Sequence, residues 1–136
     1  MTTETIQVKK LLVNNSPLPA GYVQSSFSYT LGLGETIVRT AVNGNTTTRV
    51  VAQNLETKKS MLKFEIYPLD RNDENDPRPY IKNLKENIAN NTVTAISNNG
   101  KTLRFTGMVL MNDPEFSDNP DGTVPLEFEG NEAQIS

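Results

Sequence analysis

Residues 104–130, RFTGMVLMNDPEFSDNPDGTVPLEFEG, decide how the rest of the chain is read. Near their end Val124, Leu126 and Phe128 face one way, while Thr123, Pro125, Glu127 and Glu129 face the other. A period of two predicts a half-buried strand. The preceding run, residues 101–110, alternates as well: Leu103, Phe105 and Val109 are expected inward, and Gly107 interrupts the pattern. Two such strands around a long acidic loop that ends in Asp121-Gly122 point to an all-β framework.

Working upstream, Asn98-Asn99-Gly100 reads as the turn joining residues 101–110 to a strand over residues 92–97. Before that strand, Asp76 suits a helix N-cap, and Pro77 suits the first helical position, where its missing N–H costs nothing. Ile81, Leu84 and Ile88 then fall at i, i+3 and i+7, predicting one amphipathic helix ending near Asn90-Asn91. Residues 60–67 place Leu62, Phe64 and Ile66 inward, with Met61, Lys63, Glu65 and Tyr67 outward. Further back, residues 35–42 and 46–55 flank Asn43-Gly44-Asn45, whose Asn-Gly step supplies the positive φ a tight hairpin needs. The arms of that hairpin carry Arg39 and Arg49 but no large apolar face, and an isolated two-stranded ribbon is marginal in water, so it either lies over its own core or calls for a neighbour. Phe27, Tyr29, Leu31 and Leu33 predict a strand before it, with Gly32 and Gly34 marking a bulge or a close backbone approach at its end. A proline-bearing loop at residues 14–21 follows the N-terminal strand. The expected architecture is a mainly β-sandwich or open barrel of about eight strands with one flanking α-helix, as a single domain over residues 1–136.

Composition narrows the chemistry. The chain has no cysteine and no histidine, which excludes Ser-His-Asp and Cys-His nucleophilic sites and removes the usual zinc ligands. The N-terminus lacks a secretory apolar core, and no run is long enough to cross a bilayer, so no membrane partner is expected. The net charge of −3 conceals an asymmetry: residues 113–136 hold 7 acids and no base, whereas residues 1–112 hold 13 bases and 9 acids. That tail reads either as an ordinary solvated acidic stretch or as a surface kept negative for a purpose.

Residues 70–76 begin like a calcium loop, but Asn75 stands where a glycine is needed and Ile81 where a bidentate glutamate should sit. Asp113, Glu115, Asp118 and Asp121 are rich in oxygen yet match no metal spacing. Glu127 and Glu129, about 6–7 Å apart by strand rise, are ordinary wet-face charges and not an acid–base pair. Residues 32–35, GLGE, lack the helix and the lysine of a phosphate loop. Scattered lysine pairs without interleaved aromatics, with a pI near 5.0, argue against dedicated nucleic-acid binding.

The order LRFTG, NDPE, DGTVPLEFEG, with LKFEIYP at residues 62–68 and IKNLKENI at residues 81–88, resembles the tail tube proteins of tailed bacteriophages. That resemblance implies a non-enzymatic structural protein without cofactor or metal, located in the virion tail and assembled in the host cytoplasm. It implies six copies per ring, rings stacked into a tube, and DNA passing through without sequence-specific contact. Sheath, tape measure, baseplate and terminator proteins are the implied partners. The hairpin tip (Asn43, Gly44, Asn45), the loop with Asp70, Asp73 and Glu74, and the acidic loop with Asp113, Glu115, Phe116 and Asp118 are the implied assembly contacts. Glu35, Glu56, Glu65, Glu127 and Glu129 are the candidates for an acidic lumen wall. A tail terminator or neck protein of related fold is one alternative. A monomeric β-sandwich that binds carbohydrate is the other, weakened by the absence of tryptophan and the presence of only 4 tyrosines.

Overall fold

The computed structural model describes residues 6–18, 22–67, 76–119 and 121–136. The protein is mainly β, with one α-helix and ten strands, several of them very short. In chain order the strands are β1 (Val8–Val13), β2 (Ser16–Pro17), β3 (Ser28–Tyr29), β4 (Glu35–Asn43), β5 (Thr46–Asn54) and β6 (Ser60–Ile66). Helix α1 (Pro77–Glu86) follows, then β7 (Asn91–Ser97), β8 (Thr102–Leu110), β9 (Val124–Gly130) and β10 (Gln134–Ile135). Eight strands form one open sheet in the order β2-β1-β7-β8-β9-β6-β3, with β10 added beside β8. It does not close into a barrel. β4 and β5 pair only with each other.

Side-chain alternation builds the core as the sequence leads one to expect. Leu62↔Phe128, Phe64↔Leu126 and Ile66↔Val124 are antiparallel partners between β6 and β9, and all six side chains are buried. The Phe64 and Phe128 rings stack with centroids 5.8 Å apart. Phe27 lies 6.3 Å from Phe64 and 6.2 Å from Phe105, so it links the β6–β9 half of the sheet to the β7–β8 half. Offset and tilted ring pairs at these distances add attraction beyond the area they bury.

β8 joins the two halves, and its inward pattern departs from the simple alternation. Val93 pairs with Phe105 but Asn91 pairs with Met108, so β8 spends one extra residue there. Gly107 takes φ of +63° at this bulge. The extra residue flips the phase: Phe105 is buried, and beyond the bulge it is Met108 and Leu110 that point inward, while Val109 turns half outward. Val109, expected inward, is thus corrected by the bulge.

Helix α1 is capped as expected. The Asp76 carboxylate accepts from the Arg78 backbone N–H at 3.0 Å, Pro77 opens the first turn, and Ile81 and Leu84 are buried. Lys85 Nζ donates to the Leu110 and Asn112 carbonyls at 2.9 and 3.3 Å, fastening the last turn to the end of β8. Tyr80 packs on the core, and burial pushes its phenol well above the ordinary value. The helix stops at Glu86, earlier than its apolar spacing indicates, and Ile88 is 69% exposed. The cause is Asn91, fully buried, whose Nδ2 donates to the Leu84 carbonyl at 2.9 Å and the Asn87 carbonyl at 3.2 Å. Those bonds satisfy helix-end carbonyls, and the chain reverses through Ala89 at φ +60° to reach β7.

Two other expectations shift. The strand sought over Phe27, Tyr29, Leu31 and Leu33 has only two ladder residues, and Leu33 is 58% exposed. Side-chain hydroxyls complete the edge instead: Met61 N donates to Thr30 Oγ1 at 3.0 Å and Glu65 N to Ser26 Oγ at 3.1 Å. Gly32 then passes so near β6 that a Cβ would meet Ser60 N at 2.7 Å, which is the close approach its position signalled. Leu55 leaves the hairpin arm for a single 3-10 turn and is exposed.

Candidate assembly surfaces

The β4–β5 hairpin is the most unusual surface of the molecule. Each arm has nine residues, paired in unbroken register from Glu35↔Asn54 to Asn43↔Thr46. Not one of these residues is buried. The turn is Gly44-Asn45, one residue later than the Asn-Gly step alone suggests. Positive φ is confined to Gly44 (+64°), the pattern of a type II′ hairpin turn. Val38 and Val51 are cross-strand partners, 49% and 59% exposed, with Val42 on the same face; Ile37, Ala52 and Val50 lie on the other face. Apolar side chains on both faces, and unpaired N–H and C=O groups along both outer margins, leave the ribbon without the cover that stabilises strands. Its base is held by the Glu35 N–H to Thr57 Oγ1 bond at 2.7 Å and by Gln53 Nε2 donating to the Leu33 carbonyl.

The main sheet, by contrast, has blunted margins. Its edge strands β2 and β3 are two residues each, and the outer margin of β6 is occupied by bonds to Val23, Ser26 and Thr30. Short edges of this kind discourage pairing. Among the described residues, the hairpin thus carries the longest unpaired margins, nine residues on each arm, while on the main sheet β1 runs past its two-residue partner β2 only over Val8–Leu11.

Three of the five lumen candidates share one face. Glu65, Glu127 and Glu129 stand on the outward side of β6 and β9, with Lys63 opposite Glu127 and Met61 opposite Glu129. Lys59 Nζ lies 2.8 Å from a Glu129 carboxylate oxygen, and Thr123 Oγ1 donates to Glu65 Oε1 at 2.7 Å. Glu127 is exposed and has no ion pair among the described residues. Glu35 and Glu56 sit elsewhere, at the base of the hairpin. Tyr29, Met61 and Met111, all about half exposed, line a groove of ≈ 530 Å³ beside Glu127 and Glu129. Sequence reasoning placed Met61 outward but missed this grouping, since Tyr29 and Met111 reach it from distant parts of the chain.

The acidic loop lies against the helix. Phe116 is half-buried on the core, and with Asp113 and Pro114 it forms one wall of a groove whose other wall includes Arg78, Ile81, Lys82 and Lys85. Glu115 and Asp118 are exposed. No group of three or more Asp and Glu side chains arranged to hold a metal occurs among the described residues. Asp70, Asp73 and Glu74 lie outside the described residues.

An open sheet flanked by one helix, with a long ribbon standing clear of it, defines a β-protein whose largest uncovered element is a strand pair. The chain belongs to the phage tail tube protein family, whose model matches residues 22–134. That membership makes it a structural component of a phage-type tail. Among solved structures it is similar to Hcp1 from Flavobacterium johnsoniae, with 14% identity, a TM-score of 0.45, and coverage of 95% of this chain and 94% of that one. It is also similar to a chain of the anti-feeding prophage baseplate, with 15% identity, a TM-score of 0.46, and coverage of 100% and 97%. No curated protein sequence matches it.

Proposed function

We propose that residues 1–136 act as one tail-tube domain, that six copies close into a ring, and that the rings stack into the tube through which DNA passes. The observation that carries this reading is the β4–β5 hairpin, in which no residue is buried although valines stand on it. In a member of the tail tube family, the natural cover for such a ribbon is a neighbouring copy, and the tip residues Asn43, Gly44 and Asn45 reach farthest towards it. The acidic loop with Asp113, Glu115, Phe116 and Asp118, and the segment with Asp70, Asp73 and Glu74, supply further contacts between copies.

The channel works by electrostatics. Duplex DNA carries about one charge per 1.7 Å of axis, so a basic wall would bind it by counterion release and stall its passage. Glu65, Glu127 and Glu129, gathered on one face, supply an acidic wall, with Glu35 and Glu56 at the hairpin base extending it. The Debye length is about 8 Å at physiological salt, so the repulsion centres the duplex without opposing motion along the axis. The protein catalyses no reaction and holds no cofactor. It assembles in the host cytoplasm and serves in the virion beside tape measure, baseplate and terminator proteins, and a sheath where the tail contracts.

Electron microscopy of the purified chain tests the assembly: rings or tubes support the reading, and a strictly monomeric species at high concentration overturns it. Glu127→Lys with Glu129→Lys tests the wall. Particles should assemble but deliver DNA slowly, and normal delivery would remove the lumen assignment while leaving the tube intact.

A further inference from the structure

Three steps in this chain are chemically prone to cyclise onto the following residue: Asn43-Gly44, Asn99-Gly100 and Asp121-Gly122. In each, the glycine amide nitrogen can attack the side-chain carbonyl carbon of the residue before it, because glycine offers no Cβ to block the approach. The fold treats the three differently. The Gly100 N–H donates to the Ser97 carbonyl at 3.0 Å, and Asn99 Oδ1 accepts from the Lys101 N–H at 3.2 Å, so both reacting groups are held. The Gly122 N–H donates to the Asn119 carbonyl at 2.9 Å, and the Asp121 N–H to Asn119 Oδ1 at 3.0 Å. Gly44 lies at the exposed hairpin tip, and among the described residues its N–H donates to no acceptor, nor is the Asn43 side chain bonded. No atom beyond the chain neighbours lies within 4 Å of the place a Cβ would occupy at Gly44 or at Gly100, so a five-membered ring has room at both and the hydrogen bonds are what separate the two.

We propose that Asn43 is a site of spontaneous covalent modification, selected by the fold over Asn99. The Gly44 nitrogen, having lost its proton to base, bonds to Asn43 Cγ. The Cγ–Nδ2 bond breaks and ammonia leaves, giving a cyclic imide. Water then opens the imide at either carbonyl, yielding aspartate or isoaspartate. No electron is transferred and water is the sole co-reactant. The product places a carboxylate at the end of a ribbon whose arms carry Arg39 and Arg49 and whose acid nearest the tip in sequence is Glu35, at the base. The isoaspartate form also adds a backbone methylene at Asn43, whose partner across the ladder is Thr46, and so weakens the turn.

The test is incubation of the full chain at mildly alkaline pH, followed by tryptic digestion and mass spectrometry. Asn43 falls in the peptide of residues 40–49 and Asn99 in that of residues 86–101. The 40–49 peptide should gain the amide-to-acid mass first, faster by roughly two- to tenfold, the factor that one net hydrogen bond represents. In denaturant, where neither glycine amide is held, the two rates should converge. Equal rates in the folded protein, faster change in the 86–101 peptide, or a rate ratio unaltered by denaturant would each overturn the proposal. The incubation uses full chain shown by sedimentation to be monomeric, because assembly as proposed above would cover the tip; the readouts then report on the hairpin alone.

Discussion

Gly130 passes so close to Gly107 that a Cβ on Gly130 would lie 2.8 Å from the Gly107 carbonyl oxygen, and equally near Met108 Sδ and the Thr106 carbonyl. β9 can reach the bulge of β8 only because its last residue has no side chain. Two of those three neighbours are backbone, which cannot swing aside. Gly130→Ala is therefore expected to destabilise the subunit by about 1–3 kcal/mol in chemical denaturation. Gly107→Ala should cost about 1–2 kcal/mol for its left-handed backbone, since the Asn131 side chain it would meet can move. A neutral Gly130→Ala would show that the two strands do not approach in this way.

Asn91 connects three elements. Besides the two helix-end carbonyls, its Oδ1 accepts from Asn14 Nδ2 at 3.2 Å and Asn87 Nδ2 at 3.0 Å. Asn14 in turn exchanges bonds with Thr92, accepting from its N–H at 2.9 Å. Asn91→Ala strands these partners and should cost about 2–3 kcal/mol, whereas Asn14→Gly, which keeps the left-handed backbone, should cost about 1 kcal/mol. Because they share a bond, the double variant should cost less than the sum. Additive losses in thermal melts would contradict the network.

Asp76 gives a pH signature. The Arg78 guanidinium bonds its carboxylate, with Nη2 2.8 Å from Oδ2, and the Arg78 N–H adds a second bond; together they hold its pKa below the ordinary 3.8. A depressed folded value means that the contribution of the ionised cap is fully present above pH 3.8 and is lost as pH falls through the lower folded value. A carboxyl titration followed by NMR should give a midpoint under 3.8, and Arg78→Ala should move it upward. A midpoint at or above 3.8 would contradict the cap geometry.

The hairpin separates stability from assembly. Val42 is 72% exposed and Val51 59%, so Val42→Asp and Val51→Asp should leave the isolated subunit's unfolding free energy within about 0.5 kcal/mol. Sedimentation and electron microscopy should nevertheless show that polymerisation is lost. If either variant destabilises the subunit strongly, the ribbon is covered by its own chain; if both polymerise normally, it is not the contact.

Much of the framework was legible in the sequence because it rests on local rules. Strand period picked the inward residues of β6 and β9, and Asp76-Pro77 marked the start of α1, since a cap and its N–H lie within one turn. The candidate acids were legible as a set but not by place: Glu65, Glu127 and Glu129 share one face through the β6–β9 register, whereas Glu35 and Glu56 stand at the base of the hairpin. Nothing local to Glu129 announces Lys59, or to Glu65 announces Thr123.

By itself, the sequence determined a mainly β chain with one helix, a tight turn within Asn43-Gly44-Asn45, and a charge-polarised C-terminal stretch. These follow from side-chain alternation, glycine's access to positive φ, and plain counting of charges. Tertiary structure alone decided that Val109 yields to Met108 and Leu110, that Ile88 is left in solvent, and that Tyr29, Met61 and Met111 share a groove. The first outcome turns on Gly107 at the bulge meeting Gly130 and Asn131, the second on Asn91 of β7 bonding the Leu84 and Asn87 carbonyls at the helix end, and the third on segments from distant parts of the chain meeting beside β6 and β9. Such contacts form only when the whole sheet closes on its core, and their energies override the spacing of any single segment.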